Sequence, residues 1–227
     1  FRRVLFRSGW SGRDSTAALM RERHGRALPV RGADTVTVPG GVRGWKMLRD
    51  FGARLSWART LGPAQRAAAD GVPVAESLAR HIADPENTDL HDVEDFAGVF
   101  RPGGVGLGVA DRLVQPRLAN TLAALCADGP DAFYTGDLAE SMVDYLRSRG
   151  SCLTAEDFAD YLPEDSAPLS VPFGDLRVWT SPPNTHGFLM LRALRAIHEM
   201  GLTDPLGSDL GELMRIFHHG NRLRAER

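Results

Sequence analysis

Apolar positions recur along most of this chain with the period of a helix, and only one stretch keeps the period of a strand. From Val42 the residues Val42, Trp45, Leu48 and Phe51 fall at i, i+3, i+6 and i+9, which places them on one helical face that Gly52 closes. Ser56 is placed to cap a second short helix, and Pro63, tolerated in a first turn, opens a third that runs to Asp70. Val74 to Ile82 reads as a fourth. Leu118, Leu122 and Leu125 make one later stripe, and Leu138, Met142, Tyr145 and Leu146 another. Thr154, with Asp157 three positions on, predicts a capped helix to Tyr161.

Elsewhere the period changes. Thr35 to Val38 is a β-branched run ending at Pro39-Gly40, expected as a strand entering a turn. Ala83 to Val114 is acidic, then glycine-rich, and is expected to be loop with one helical piece near His91 to Phe96. Leu169 to Phe173 and Leu176 to Thr180 flank Gly174-Asp175 as a hairpin. The turn Pro182 to Gly187 then leads into a long helix with Phe188, Leu191, Leu194 and Ile197 on one face, ending at Gly201. The turn is expected either to be a rigid loop in which Thr185 or Asn184 caps that helix or to form a wall of a substrate pocket.

Composition narrows the class. Hydrophobic residues at 43% and charged residues at 25% match soluble globular chains. The basic side chains are almost all arginine, Lys46 being the only lysine, yet acidic residues outnumber them and leave a net charge of −2. A nucleic-acid partner is therefore not expected, because displacing counterions from phosphates needs a basic excess. No run has the length of a membrane span. Cys126 and Cys152 lack the spacing of a metal or redox motif and read as small apolar residues. The chain opens on Phe1, and Val4 to Ser8 (VLFRS) resembles the translation of a sequencing adapter. Residues 1–8 are accordingly read as a non-native leader and 9–227 as a partial domain, whose last residues, 221–227, continue a helical pattern without a cap.

Motifs for common chemistries are weak. The cluster Gly103, Gly104, Gly106 and Gly108 lacks the preceding strand and the spaced acidic residue of a dinucleotide fold. The histidines, including His218-His219, form no H-E-x-x-H pair, and no serine sits in a G-x-S-x-G elbow. Neither a metal nor an organic cofactor is expected.

Ordered blocks carry more information than any one motif. Val36 to Trp45 (VTVPGGVRGW), Phe51-Gly52 with Ser56-Trp57, Gly71 to Val74, Gln115 to Leu122 (QPRLANTL), Gly129 to Gly136 (GPDAFYTG), Leu153 to Phe158 (LTAEDF) and Pro168 to Ser170 occur in an order that resembles the gamma-glutamyltransferase family. The resemblance runs from about residue 9 to the C-terminal end and implies an α/β fold, the helix-rich large-subunit part of a four-layer αββα N-terminal-nucleophile hydrolase sandwich. It also implies a precursor that cleaves itself, the new N-terminal threonine of a small subunit attacking a gamma-glutamyl amide such as glutathione. That threonine lies beyond the region matched here, so the expected partners are a gamma-glutamyl substrate and the small-subunit part of the same precursor. One substrate contact carries over: Arg13, in Ser11 to Ala18 (SGRDSTAA), aligns with an arginine that grips the glutamyl α-carboxylate, which a planar guanidinium suits. Ser15 stands where the family has a proline. Two rivals remain at this point: an acylase of the same fold on other amides, including beta-lactam side chains, and a non-enzymatic helical interaction module.

Overall fold

A computed structural model describes residues 4–6, 9–183 and 185–225. In chain order its elements are β1 (Val4–Phe6), α1 (Ala17–His24), α2 (Gly41–Asp50), α3 (Trp57–Asp70), β2 (Val72–Pro73), α4 (Glu76–Ile82) and α5 (Glu94–Phe100). There follow β3 (Arg112–Leu113), α6 (Pro116–Asp128), α7 (Asp137–Ser148), α8 (Ala155–Asp160), β4 (Glu164–Ser166), β5 (Leu169–Phe173), β6 (Leu176–Thr180), α9 (Gly187–Met200) and α10 (Leu210–Ala225), with short 3-10 turns between some of them. The chain divides into two units, one made of Trp10–Val38 and Leu48–Tyr161, the other of Pro39–Met47, the described residues from Leu162 onward, and β1.

The first unit is organised by α3 lying along α6. Ser56 caps α3, its hydroxyl accepting from the Arg59 N–H at 3.2 Å. The helix then runs through Pro63 to Asp70 without a break, so the two short helices expected from the sequence are one. A proline inside a helix removes a backbone hydrogen bond and costs about 3 kcal/mol. Packing offsets that: Leu61 and Ala68 of α3 and Ala119, Leu122 and Leu125 of α6 are all buried, and Ala68, Ala119 and Leu122 form one cluster. Burying a leucine side chain contributes about 2 kcal/mol, so two or three such residues exceed the penalty.

Gly71 ends α3 at φ +82°, and a Cβ there would lie 2.8 Å from Val114 Cγ2 and 3.1 Å from the Leu113 carbonyl. Both conformation and space demand glycine, because the chain must turn straight into β2 against β3, where Val72 pairs with Leu113 and Pro73 with Arg112. The expected helical piece near His91 is displaced along the chain: a 3-10 turn covers Pro85–Leu90, and α5 begins at Glu94.

The run Thr35 to Val38 does not form a strand. Ala33–Thr35 is a 3-10 turn, and although Val38 is fully buried, its N–H makes a single bond to the Trp10 carbonyl at 3.0 Å. A β-branched run becomes a strand only with a ladder beside it, and one bond is no ladder. Nor does the stripe on α2 face inward as a whole: Val42 is buried, while Trp45, Leu48 and Phe51 stay exposed.

In the second unit β5 and β6 pair in the register the sequence predicts, Phe173 opposite Leu176 and Leu169 opposite Thr180, turning on Gly174 at φ +57°. Helix α9 packs on this hairpin and α10 packs on α9. A Cβ on Gly187 would overlap the Thr180 side chain, so the start of α9 can press on β6 only with glycine there. Gly201, at φ +64°, ends α9 as expected. The Thr185 hydroxyl bonds back to Ser181 and Pro182 rather than capping α9, whose N-cap His186 makes no side-chain bond; Asn184 lies outside the described residues. Val4–Phe6, within the expected leader, pairs antiparallel with Glu164–Ser166, and residues 1–3, 7, 8, 226 and 227 lie outside the described residues.

Candidate functional site

Arg13 stands on a tight turn that leads into α1. The Ser15 N–H closes the turn on the Gly12 carbonyl at 2.9 Å, and Thr16 caps α1 by accepting from the Leu19 N–H at 3.2 Å. A proline at position 15 has no N–H to give, so serine here closes the turn with a bond that the proline of the resembled family could not make.

Three contacts root this turn in the first unit. Trp10 meets the buried ring of Tyr161 edge-on at 5.4 Å, and Tyr161 stacks on the buried Tyr134 at 6.0 Å. Buried Gly12 lies so close to the start of α8 that a Cβ would be 3.1 Å from Asp157 Oδ2 and 3.3 Å from the Cys152 carbonyl. The Arg13 N–H donates to Asp157 Oδ1 at 3.1 Å.

Asp157 belongs to a complete capping box. Its Oδ2 accepts from the Thr154 N–H at 3.0 Å while the Thr154 hydroxyl accepts from the Asp157 N–H at 3.2 Å, so the buried carboxylate serves two backbone donors at once. One turn further along α8, Asp160 takes Nη2 of Arg13 in an ion pair. Positions three apart share a helical face, so α8 holds one residue at its backbone and at its guanidinium. The Arg13 side chain nevertheless stays 67% exposed, and because Asp160 meets Nη2 alone, the second Nη2 hydrogen together with Nη1 or Nε leaves one parallel fork for a bidentate acceptor.

A second charged group sits at the other end of α1. Asp34 is largely buried and accepts from Arg23 Nη1 at 2.9 Å and pairs with His24 Nε2 at 2.8 Å, while Arg23 also reaches the Gly150 carbonyl at 3.0 Å. The hydrogen bond from His24 above all, with Arg23 adding to it, holds the Asp34 carboxyl below the ordinary carboxylate range against the opposing effect of burial. This group ties α1 to its surroundings and offers no open donor set. A cavity of about 370 Å³ beside α5 and α6 is lined by Glu94, Asp95 and Arg117, where the Tyr145 hydroxyl, ahead of Arg117, lowers the Asp95 pKa. Among the described residues no group of three or more His, Cys, Asp or Glu side chains is arranged to hold a metal ion, and no helix is long and apolar enough to cross a membrane.

Compared with known families, residues 3–219 match the Gamma-glutamyltranspeptidase pattern. The chain belongs to the gamma-glutamyltranspeptidase family. It is 35% identical over 199 residues to the Glutathione hydrolase-like YwrD proenzyme of Bacillus subtilis, covering 86% of this chain and 37% of that protein. With the Glutathione hydrolase proenzyme 1 of Schizosaccharomyces pombe it shares 31% identity, over 80% of this chain and 29% of the relative. The chain thus spans about a third of the length of the curated relatives it matches.

The fold agrees with the family. Against the gamma-glutamyltranspeptidase of Pseudomonas nitroreducens the TM-score is 0.85 at 24% identity, over 97% of this chain and 67% of that one. A cephalosporin acylase from Bacillus halodurans gives a TM-score of 0.77 at 32% identity, over 84% of this chain and 37% of that one. The α/β expectation therefore holds, this chain being the helix-rich part of the N-terminal-nucleophile hydrolase fold of these gamma-glutamyltranspeptidases. Sequence reasoning singled out Arg13 and the Thr154–Asp157 box separately. The three-residue spacing of Asp157 and Asp160 was the signal that one face of α8 carries two acceptors; their meeting with Arg13 across the chain left no local trace.

Proposed function

We propose that this chain supplies the α-carboxylate grip of a self-processing enzyme that transfers or hydrolyses the gamma-glutamyl group of glutathione and related amides. The supporting observation is the state of Arg13: rooted by its backbone on a buried carboxylate, yet with most of its guanidinium surface open. A fixed root with a free planar fork is what orientation of a carboxylate demands, since two parallel N–H bonds set position and angle together. Family membership supplies the rest of the reading.

In this proposal the nucleophile is the N-terminal threonine of a small subunit released from the same precursor and encoded outside this sequence. Its hydroxyl attacks the gamma-carbonyl and its own α-amino group, with a pKa near neutrality, takes the proton. An acyl-enzyme forms, and water or an amine then releases the gamma-glutamyl group. The word proenzyme in the names of the Bacillus and Schizosaccharomyces relatives favours such a precursor. Arg13 contributes by holding the far end of the substrate, an interaction made in the ground state and the transition state alike, so that its loss is read in KM.

The likeness to a cephalosporin acylase supports a second reading, hydrolysis of amides whose acyl group has another shape. The two differ in one requirement, a free α-carboxylate. Expressing the complete reading frame that encodes this chain, and assaying a gamma-glutamyl anilide beside the same anilide with its α-carboxylate converted to a carboxamide, separates them. Two-piece cleavage on a gel with turnover of the acid alone supports the gamma-glutamyl reading. Cleavage with equal turnover of both supports the acylase, and an uncleaved, inert product rejects both in favour of an interaction module.

A further inference from the structure

Helix α8 is short, six residues, but it carries acceptors for both ends of Arg13. The deeper of the two is Asp157, which is 6% exposed. We propose that Asp157 is a positioning residue for substrate recognition: its buried carboxylate fixes where the Arg13 backbone stands, and with it the reach of the guanidinium toward the substrate's carboxylate. The inference rests on the reading of Arg13 given above.

The geometry leaves Asp157 little latitude. One oxygen accepts from the Arg13 N–H at 3.1 Å and the other from the Thr154 N–H at 3.0 Å. An ionised carboxylate has two acceptor oxygens and no donor, which fits two N–H groups. An asparagine of the same size has one oxygen and one NH₂ group, so one of the two backbone donors would face another donor. Whichever bond is kept, the other is lost. Gly12 adds a second constraint, since a Cβ there would press on Asp157 Oδ2 and on the backbone at Cys152 and Leu153 at 3.1 to 3.3 Å, so the turn or these neighbours must give way.

Asp160 then acts on a side chain whose root is already placed. It pairs with Nη2 alone and is 55% exposed, so it steers the guanidinium without filling its fork. A long arginine chain anchored only at its tip would leave the Cα free to shift, and with it the distance and angle at which the guanidinium meets the substrate's carboxylate. The buried anchor is therefore the one that sets substrate affinity.

The test uses the complete reading frame carrying this chain. Asp157→Asn, which acts through Arg13, is expected to raise the KM for the gamma-glutamyl anilide by about tenfold and by no more than Arg13→Ala does, with kcat changing less than about threefold and the carboxamide analogue unaffected. Gly12→Ala, which pushes the same turn from the other side, is expected to give the same KM pattern. Thr154→Ala removes only the cap hydroxyl and leaves both bonds accepted by Asp157, so it should lower Tm without moving KM. If Asp157→Asn alters both substrates alike, or lowers Tm as Thr154→Ala does with KM unchanged, Asp157 is merely structural and the inference is overturned. Arg13→Ala is run beside these variants. Should it raise KM while Asp157→Asn and Gly12→Ala do not, this inference alone falls; should Arg13→Ala leave KM unchanged, the reading of Arg13 falls and takes the inference with it.

Discussion

The backbone N–H of Arg13 meets Oδ1 of Asp157 at 3.1 Å although 144 positions separate them in sequence. That bond joins the turn before α1 to the start of α8, and it does so on a carboxylate that is already committed to capping its own helix. Local stability and the placing of a binding group thus depend on one buried side chain.

The guanidinium itself is the first thing to remove. Truncating one member of a desolvated charge pair costs about 2 to 5 kcal/mol, and the open setting of Arg13 argues for the lower end. Arg13→Ala in the complete enzyme is expected to lower kcat/KM for a gamma-glutamyl anilide by roughly 30-fold. Arg13→Lys should recover only part of the loss, because an ammonium offers a point charge in place of a fork. A loss under about threefold for Arg13→Ala rules the assignment out.

Thr154 offers a purely local contrast. Loss of an N-cap hydroxyl costs about 1 kcal/mol, so Thr154→Ala should lower the denaturant midpoint measurably while Thr154→Ser leaves it close to the parent. Equal midpoints for the alanine and serine variants in urea titrations would show that the cap hydroxyl contributes nothing.

Asp34 gives a pH dependence whose sign follows from its partners. His24 and Arg23 depress its folded pKa, so in the unfolded chain it takes up protons at a higher pH than in the fold. The stabilisation is complete above the ordinary carboxylate pKa of about 3.9 and is lost as pH falls below it through the depressed folded value. Urea midpoints measured from pH 6 downward, in steps of about one unit, should therefore fall more steeply near and below about pH 4 for the parent than for Asp34→Asn. Parallel curves would remove Asp34 from the acid response.

Gly71 tests backbone conformation. Its φ of +82° with ψ of 156° is open to glycine and hardly to any other residue, and a Cβ would press on Val114 and Arg112 as well. Gly71→Ala is expected to destabilise by roughly 2 to 3 kcal/mol, read as a lower Tm of the complete protein. By contrast Gly129→Ala, also at positive φ but with nothing within 4 Å of the added Cβ, should cost less.

Where the governing contacts are a few residues apart, the chain could be read directly. The β5–β6 hairpin, the Gly201 end of α9 and the Thr154–Asp157 box are all settled by turn residues, a positive φ or a three-residue spacing, and each formed where its pattern placed it. The family, too, was legible, because its blocks survive as ordered short segments. Tertiary packing decided the rest. Pro63 lies inside a continuous α3 because α6 buries the helix on both sides of it. Thr35 to Val38 lacks a strand because no ladder lies beside it, and Arg13 is held because α8, far along the chain, brings Asp157 and Asp160 to it. The physical division is one of range: caps, turns and periodicity are properties of neighbouring residues, whereas burial, strand pairing and the rooting of a binding side chain depend on what the fold carries in from a distance.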